Sequence, residues 1–134
     1  MQLFIMCGIS GIYSFTDTAE SFVPCVEKSI RTLRNRGPEV QRVECTGRVV
    51  LAHARLAILD TSSAGNQPFT DASGRYTIIY NGEFYNYRDY YAELRADGVN
   101  FTSSSDTEVL LYLYIKYRQC CLEKINGFFA FAVY

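Results

Sequence analysis

The sequence predicts an α+β domain built mostly from antiparallel strands. Apolar residues recur at strand spacing in some segments and at helical spacing in others, without the regular strand–helix alternation of a parallel α/β fold. One segment, Val49–Asp60, is apolar on both faces, as expected of a strand held between two layers. No linker, repeat or low-complexity tract divides the 134 residues, which suit one modest domain.

Composition narrows the function classes. Apolar residues make up 49% and charged residues 20%, which excludes intrinsic disorder. Thirteen Lys/Arg against fourteen Asp/Glu leave a net charge of −1, without the basic surplus of a nucleic-acid binder. No apolar run approaches the ~18 residues of a membrane span. Five cysteines, at 7, 25, 45, 120 and 121, form no C-x-x-C, and the lone histidine completes no zinc spacing. They read as reduced thiols of a cytoplasmic protein, with no metal site expected.

The elements follow in order. Gly8–Phe15 alternates Ile9, Gly11, Tyr13 and Phe15 against its other face and predicts a strand. Pro24 suits a first helical turn, and Val23, Val26, Ile30 and Leu33 continue at helical spacing towards a stop near Gly37-Pro38. In Val49–Asp60, Arg55 falls where an unpaired charge is expensive, so it needs an acidic partner from the protein or a ligand. Tyr76–Tyr80 and Glu83–Tyr85 read as strands flanking Asn81-Gly82. Tyr87, Tyr90, Tyr91 and Leu94 line a helix ending near Gly98. Ser105-Asp106-Thr107-Glu108 is a capping box opening a helix through Tyr117. Gly127–Tyr134 is a final apolar strand with an unprotected edge, and the chain reads as cut rather than finished.

Few residues could carry chemistry. Cys7 is either a small buried residue at a strand start or a nucleophile. As the first residue of a mature chain, its own α-amine, with a pKa of about 7.7–8.0, could take the thiol proton. His53 is either a satisfied core histidine or the base of a Cys–His dyad. Asn81-Gly82 is either a type I′ hairpin turn or an oxyanion hole made from a side-chain amide and a backbone N–H. Asp106 suits the helix dipole, Glu83 and Arg55 could form an ordinary ion pair, and Lys28, Arg31, Arg34 and Arg36 suit a solvated helix face.

Seven segments occur in an order that resembles a known family. They are Cys7-Gly-Ile-Ser-Gly-Ile12, Arg36-Gly-Pro-Glu39, Ala52-His-Ala-Arg-Leu-Ala-Ile-Leu-Asp60, Asn66-Gln-Pro68, Tyr80-Asn-Gly-Glu-Phe-Tyr-Asn86, Ser105-Asp-Thr-Glu-Val109 and Asn126-Gly-Phe-Phe-Ala-Phe-Ala132. Together they are similar to the glutaminase domain of glutamine-hydrolysing asparagine synthetases, class II glutamine amidotransferases among the N-terminal-nucleophile hydrolases. The resemblance implies a four-layer αββα sandwich, two antiparallel sheets between helices. It makes Cys7 the nucleophile towards the glutamine side-chain amide and Asn81 and Gly82 the oxyanion hole. Arg55 would hold the α-carboxylate and Asp106 the α-ammonium, with Glu83 and the backbone of Leu56, Ile58 and Leu59 completing the pocket. His53 matches no catalytic role.

Two departures from the family's pattern are expected to matter. Met1–Met6 precedes Cys7 as an extra leader, and with it attached Cys7 has no free amine and glutaminase activity is expected to be lost or very low; Met6 directly before Cys7 suggests initiation there rather than a self-cleaved leader. Residues 7–134 then form a partial glutaminase domain, C-terminally truncated, whose synthetase domain is absent. The fragment itself needs no cofactor, and ATP and magnesium belong to that missing domain. The expected partners are L-glutamine, the protein's own C-terminal synthetase domain and further copies in a homo-oligomer, with no nucleic acid and no membrane. The alternatives are a class II amidotransferase with a sugar-phosphate, phosphoribosyl pyrophosphate or cell-envelope acceptor, and a non-catalytic regulatory domain.

Overall fold

The computed structural model describes residues 6–56 and 63–134. Among these residues six strands and three α-helices follow one another as β1 (Gly8–Tyr13), α1 (Val23–Thr32), β2 (Val40–Thr46), β3 (Val49–Arg55), β4 (Phe69–Thr70), β5 (Thr77–Phe84), α2 (Tyr87–Ala96), α3 (Asp106–Tyr117) and β6 (Gly127–Val133). The strands form two antiparallel sheets, ordered β1-β3-β2 and β4-β5-β6.

The period of two in β3 and β5 sets the layers. On β3, Val50, Ala52 and Ala54 pack against Val26 and Ile30 of α1. On β5, Ile78, Tyr80 and Phe84 pack against Leu94 of α2 and Val109, Leu110 and Leu113 of α3. The opposite faces meet each other, with Val49 and Leu51 against Ile79. The order is therefore helix, sheet, sheet, helices, the expected αββα sandwich. Every residue of β3 is buried, as its two apolar faces require.

Several boundaries differ from the sequence reading. The first strand stops at Tyr13, and Phe15 is 85% exposed. The helix expected to reach Gly37 ends at Thr32, and its last turn tightens, with Leu33 N–H donating to Ile30 O. Gly37 instead packs on β3, where a Cβ would lie 2.2 Å from the Ala54 carbonyl. The long strand leaves regular pairing after Arg55, and its expected continuation at residues 57–60 lies outside the described residues. Strand β2 carried no clear apolar alternation, because it is an edge strand with half of its side chains in solvent.

The hairpin reading of Asn81-Gly82 is overturned. Strand β5 runs straight through both residues, paired with β6 from Ile78↔Val133 to Phe84↔Gly127. Gly82 is required here by close approach, since a Cβ would lie 2.2 Å from Phe128 O. The other elements lie close to where their patterns put them. Gly98, at φ +94°, follows α2, and Ser105 Oγ caps α3 by accepting from Glu108 N–H. The Glu108 carboxylate turns to the N–H groups of Thr102 and Ser103, closing the box two residues further out. Among the described residues no helix is long and apolar enough to cross a membrane.

Candidate active site

The site lies where the chain before β1, the end of β3, the middle of β5 and the start of α3 converge. The register Gly8↔Ala54 puts Cys7 beside the end of β3. The Leu56 N–H donates to Cys7 Sγ at 3.3 Å, and the thiol faces the Leu56 carbonyl at 3.5 Å. Arg36 anchors the same residue from the other side, its Nε donating to Cys7 O at 3.2 Å. The expected helix face is corrected: α1 ends at Thr32, so Arg34 and Arg36 lie beyond the helix.

Burial pushes the Cys7 thiol above its ordinary range, and the Leu56 backbone and the Arg55 charge only partly offset that. The thiol is thus protonated at neutral pH, and attack requires a base. His53 is poorly suited to be that base. It is 1% exposed, and burial lowers its pKa to about 4, with the Tyr80 backbone acting against that shift. Among the described residues neither ring nitrogen makes a full hydrogen bond, although the Tyr80 backbone lies close enough to act on the ring.

Strand β5 supplies the opposite wall. Thr77 and Tyr134 exchange both backbone hydrogen bonds, so the odd residues of β5 bond to β6. The even residues then turn their N–H groups to the other edge, beyond the short β4. Two of these are taken by side chains: Tyr80 N–H donates to Gln67 Oε1, and Phe84 N–H to Asp106 Oδ2. Gly82 N–H faces the same edge between them. Asn81 lies next to it in the layer between the sheets, and its buried Oδ1 has no hydrogen-bond partner among the described residues. A buried amide oxygen left unbonded costs about 1–3 kcal/mol, which is unusual away from a functional site.

Asp106 and Arg55 are both 7% exposed. Asp106 Oδ2 accepts from Tyr80 Oη at 3.2 Å and from Phe84 N–H at 3.3 Å. Burial nevertheless raises its pKa to about 6, and the Glu83 charge adds to the shift. Arg55 donates to Asn66 Oδ1 at 2.5 Å, one of its partners. Cys7 lies within electrostatic reach of both Arg55 and Asp106. Leu56 is at the site, and Glu83 is close enough to act on Asp106. Ile58 and Leu59 lie outside the described residues.

Two residues at the site escaped a chemical reading of the sequence, although both lie inside matching segments. Gln67 is 6% exposed and bridges two elements, accepting from Tyr80 N–H and donating to Thr107 Oγ1 at 3.1 Å. Tyr80 is 3% exposed and holds Asp106. A tyrosine at an apolar strand position reads as core, and only the fold shows where its hydroxyl points.

The glutamine amidotransferase domain family matches residues 6–134. The chain belongs to that family. It is 43% identical over 131 residues to asparagine synthetase (glutamine-hydrolysing) 3 of Bacillus subtilis (strain 168), covering 96% of this chain and 21% of that protein. It is 37% identical over 130 residues to asparagine synthetase B (glutamine-hydrolysing) of Escherichia coli (strain K12), covering 96% and 23%. It is 34% identical over 140 residues to Amidase chry2 of Gibberella zeae, covering 96% and 21%. The chain thus spans about a fifth of the length of these relatives.

Proposed function

We propose that this amidotransferase domain hydrolyses the side-chain amide of glutamine through Cys7 and delivers the ammonia to a separate synthetase domain. The observation that carries the reading is the convergence of a thiol, a buried guanidinium and a buried carboxyl beside an N–H on an open strand edge. An Arg and an acid suit the two charges of an amino acid's zwitterionic end. With both ends gripped, the side chain is left to reach the thiol, and that positioning supplies much of the specificity.

In the proposed sequence, Cys7 Sγ attacks the amide carbon and its proton passes to the base. Negative charge collects on the amide oxygen, where Gly82 N–H and the Asn81 amide donate to it. The base returns the proton to the departing nitrogen, the C–N bond breaks and ammonia leaves a thioester on Cys7. Water then attacks the thioester, giving glutamate and the free thiol. Arg55 binds the α-carboxylate, in place of or beside its bond to Asn66, and a planar guanidinium suits a bidentate grip. Asp106 binds the α-ammonium, with Glu83 and the Leu56 backbone lining the pocket and Ile58 and Leu59 assigned there by resemblance.

The base in this scheme is the α-amine of Cys7 itself. Joined to Met6, that nitrogen is an amide and cannot take a proton, so the reading requires Cys7 to become residue one. Intact mass of the protein expressed from its natural gene tests this. A mass beginning at Cys7 supports the mechanism, and one retaining Met6 removes its base. Ammonia release from glutamine that survives Cys7→Ala would overturn the assignment of the nucleophile.

For the acceptor, we favour aspartate activated by ATP and magnesium in a synthetase domain, with copies of the whole protein associating. The asparagine synthetases named above support that choice. Amidase chry2 shares the same region at similar identity, so the residues that bind the acceptor are expected elsewhere than in this domain.

A further inference from the structure

Tyr80 belongs to no part of the mechanism above, yet it lies against the carboxyl assigned to the substrate ammonium. Its Oη is 3.2 Å from Asp106 Oδ2, and both residues are buried. Its backbone is fixed at the same time, because Gln67 Oε1 accepts from Tyr80 N–H while Gln67 Nε2 donates to Thr107, the neighbour of Asp106. Strand β5 and the first turn of α3 are thereby joined twice, once through Gln67 and once through the phenol.

From this arrangement we infer that Tyr80 is a positioning residue for amino-acid recognition, its hydroxyl holding the Asp106 carboxylate ionised and aimed at the substrate's α-ammonium. The inference rests on the glutamine reading of the site. The Asp106 carboxyl is buried, and Tyr80 Oη and Phe84 N–H are the two donors placed on its Oδ2. The titratable groups acting on it from facing segments are Glu83 and Tyr80 of β5 and Cys7 before β1. Burial and the charge of Asp106 raise the Tyr80 phenol far above its usual range, so it remains a donor at every working pH. Removing that donor leaves the carboxylate with the backbone N–H groups of Phe84 and Thr107 and shifts it towards its protonated form, which cannot pair with an ammonium.

The test is calorimetric titration of glutamine into the intact protein carrying Cys7→Ala, which binds without turnover, from about pH 5 to about pH 8. Adding Tyr80→Phe should weaken binding about tenfold near neutrality, as expected for loss of a hydrogen bond to a charged group. It should also move the acid limb of the affinity profile to higher pH. In an Asp106→Asn background the same change should cost nothing further, since the partner is gone. A loss that is uniform across pH, or that adds fully to Asp106→Asn, would make Tyr80 merely structural and overturn the inference. If Asp106→Asn binds like the parent, or the parent does not bind glutamine, the glutamine reading itself falls.

Discussion

At the scale of single residues, burial sets the protonation states. The Cys7 thiol and the Asp106 carboxyl both keep their protons longer than they would in water, because each is charged when it loses one. For Asp106 the folded pKa of about 6 lies above its unfolded value, so the ionised form costs stability as pH rises through about 6. A bound ammonium reverses that cost. Glutamine affinity should therefore fall as pH drops through about 6, and binding at that pH should release close to half a proton. Calorimetry in two buffers of different ionisation enthalpy measures the release, and a value of zero would remove Asp106 from the ammonium site. The oxyanion assignment makes a separate prediction. Asn81→Ala should lower kcat for glutamine hydrolysis by about 10²–10³ with little change in KM, the behaviour of a donor used in the transition state.

At the scale of elements, the fold places groups by strand alternation and close contact. Gly82 brings β5 and β6 together where a Cβ would lie 2.2 Å from the Phe128 carbonyl. Gly82→Ala should push β6 outward and cost about 1–3 kcal/mol, read as a lowered Tm, while also shifting the N–H that faces the site. The start of α3 depends on Glu108, which is 0% exposed and accepts from the backbone and hydroxyls of Thr102 and Ser103. Glu108→Ala leaves those donors without their partner and should cost on the order of 3 kcal/mol in denaturant unfolding. Because Asp106 lies two residues away, the same variant should weaken glutamine binding. Unchanged binding would mean that Asp106 is positioned by β5 alone.

At the scale of the whole molecule, β6 lies at the end of its sheet with Phe128 and Phe129 exposed. Its edge borders an apolar cleft of about 450 Å³ between the sheets, lined by Ile9, Tyr13, Leu51, Ile79, Val133 and Tyr134. Among the described residues nothing pairs with its outer edge, and an exposed apolar edge pairs readily with another strand, so self-association is expected. Light scattering should show mass rising with concentration, and Phe129→Lys should suppress the rise. A monomer at all concentrations would contradict the expectation.

The α+β class, the wholly buried β3 and the capped start of α3 were all legible in the sequence, because each follows from local periodicity or a short-range hydrogen bond. The chemical reading of Cys7, Arg55 and Asp106 came from ordered segments rather than from any single residue, since each residue alone has an ordinary structural explanation. Where the partners of those residues lie was decided by tertiary structure. Asn81-Gly82 is a turn by local propensity and a strand interior in the fold, because pairing with β6 on both sides outweighs the preference of two residues. The roles of Tyr80, Gln67 and Arg36 depend on atoms brought from distant parts of the chain, and sequence spacing carries no record of such contacts. Burial, which sets the proton affinities of the site, exists only once the layers have closed.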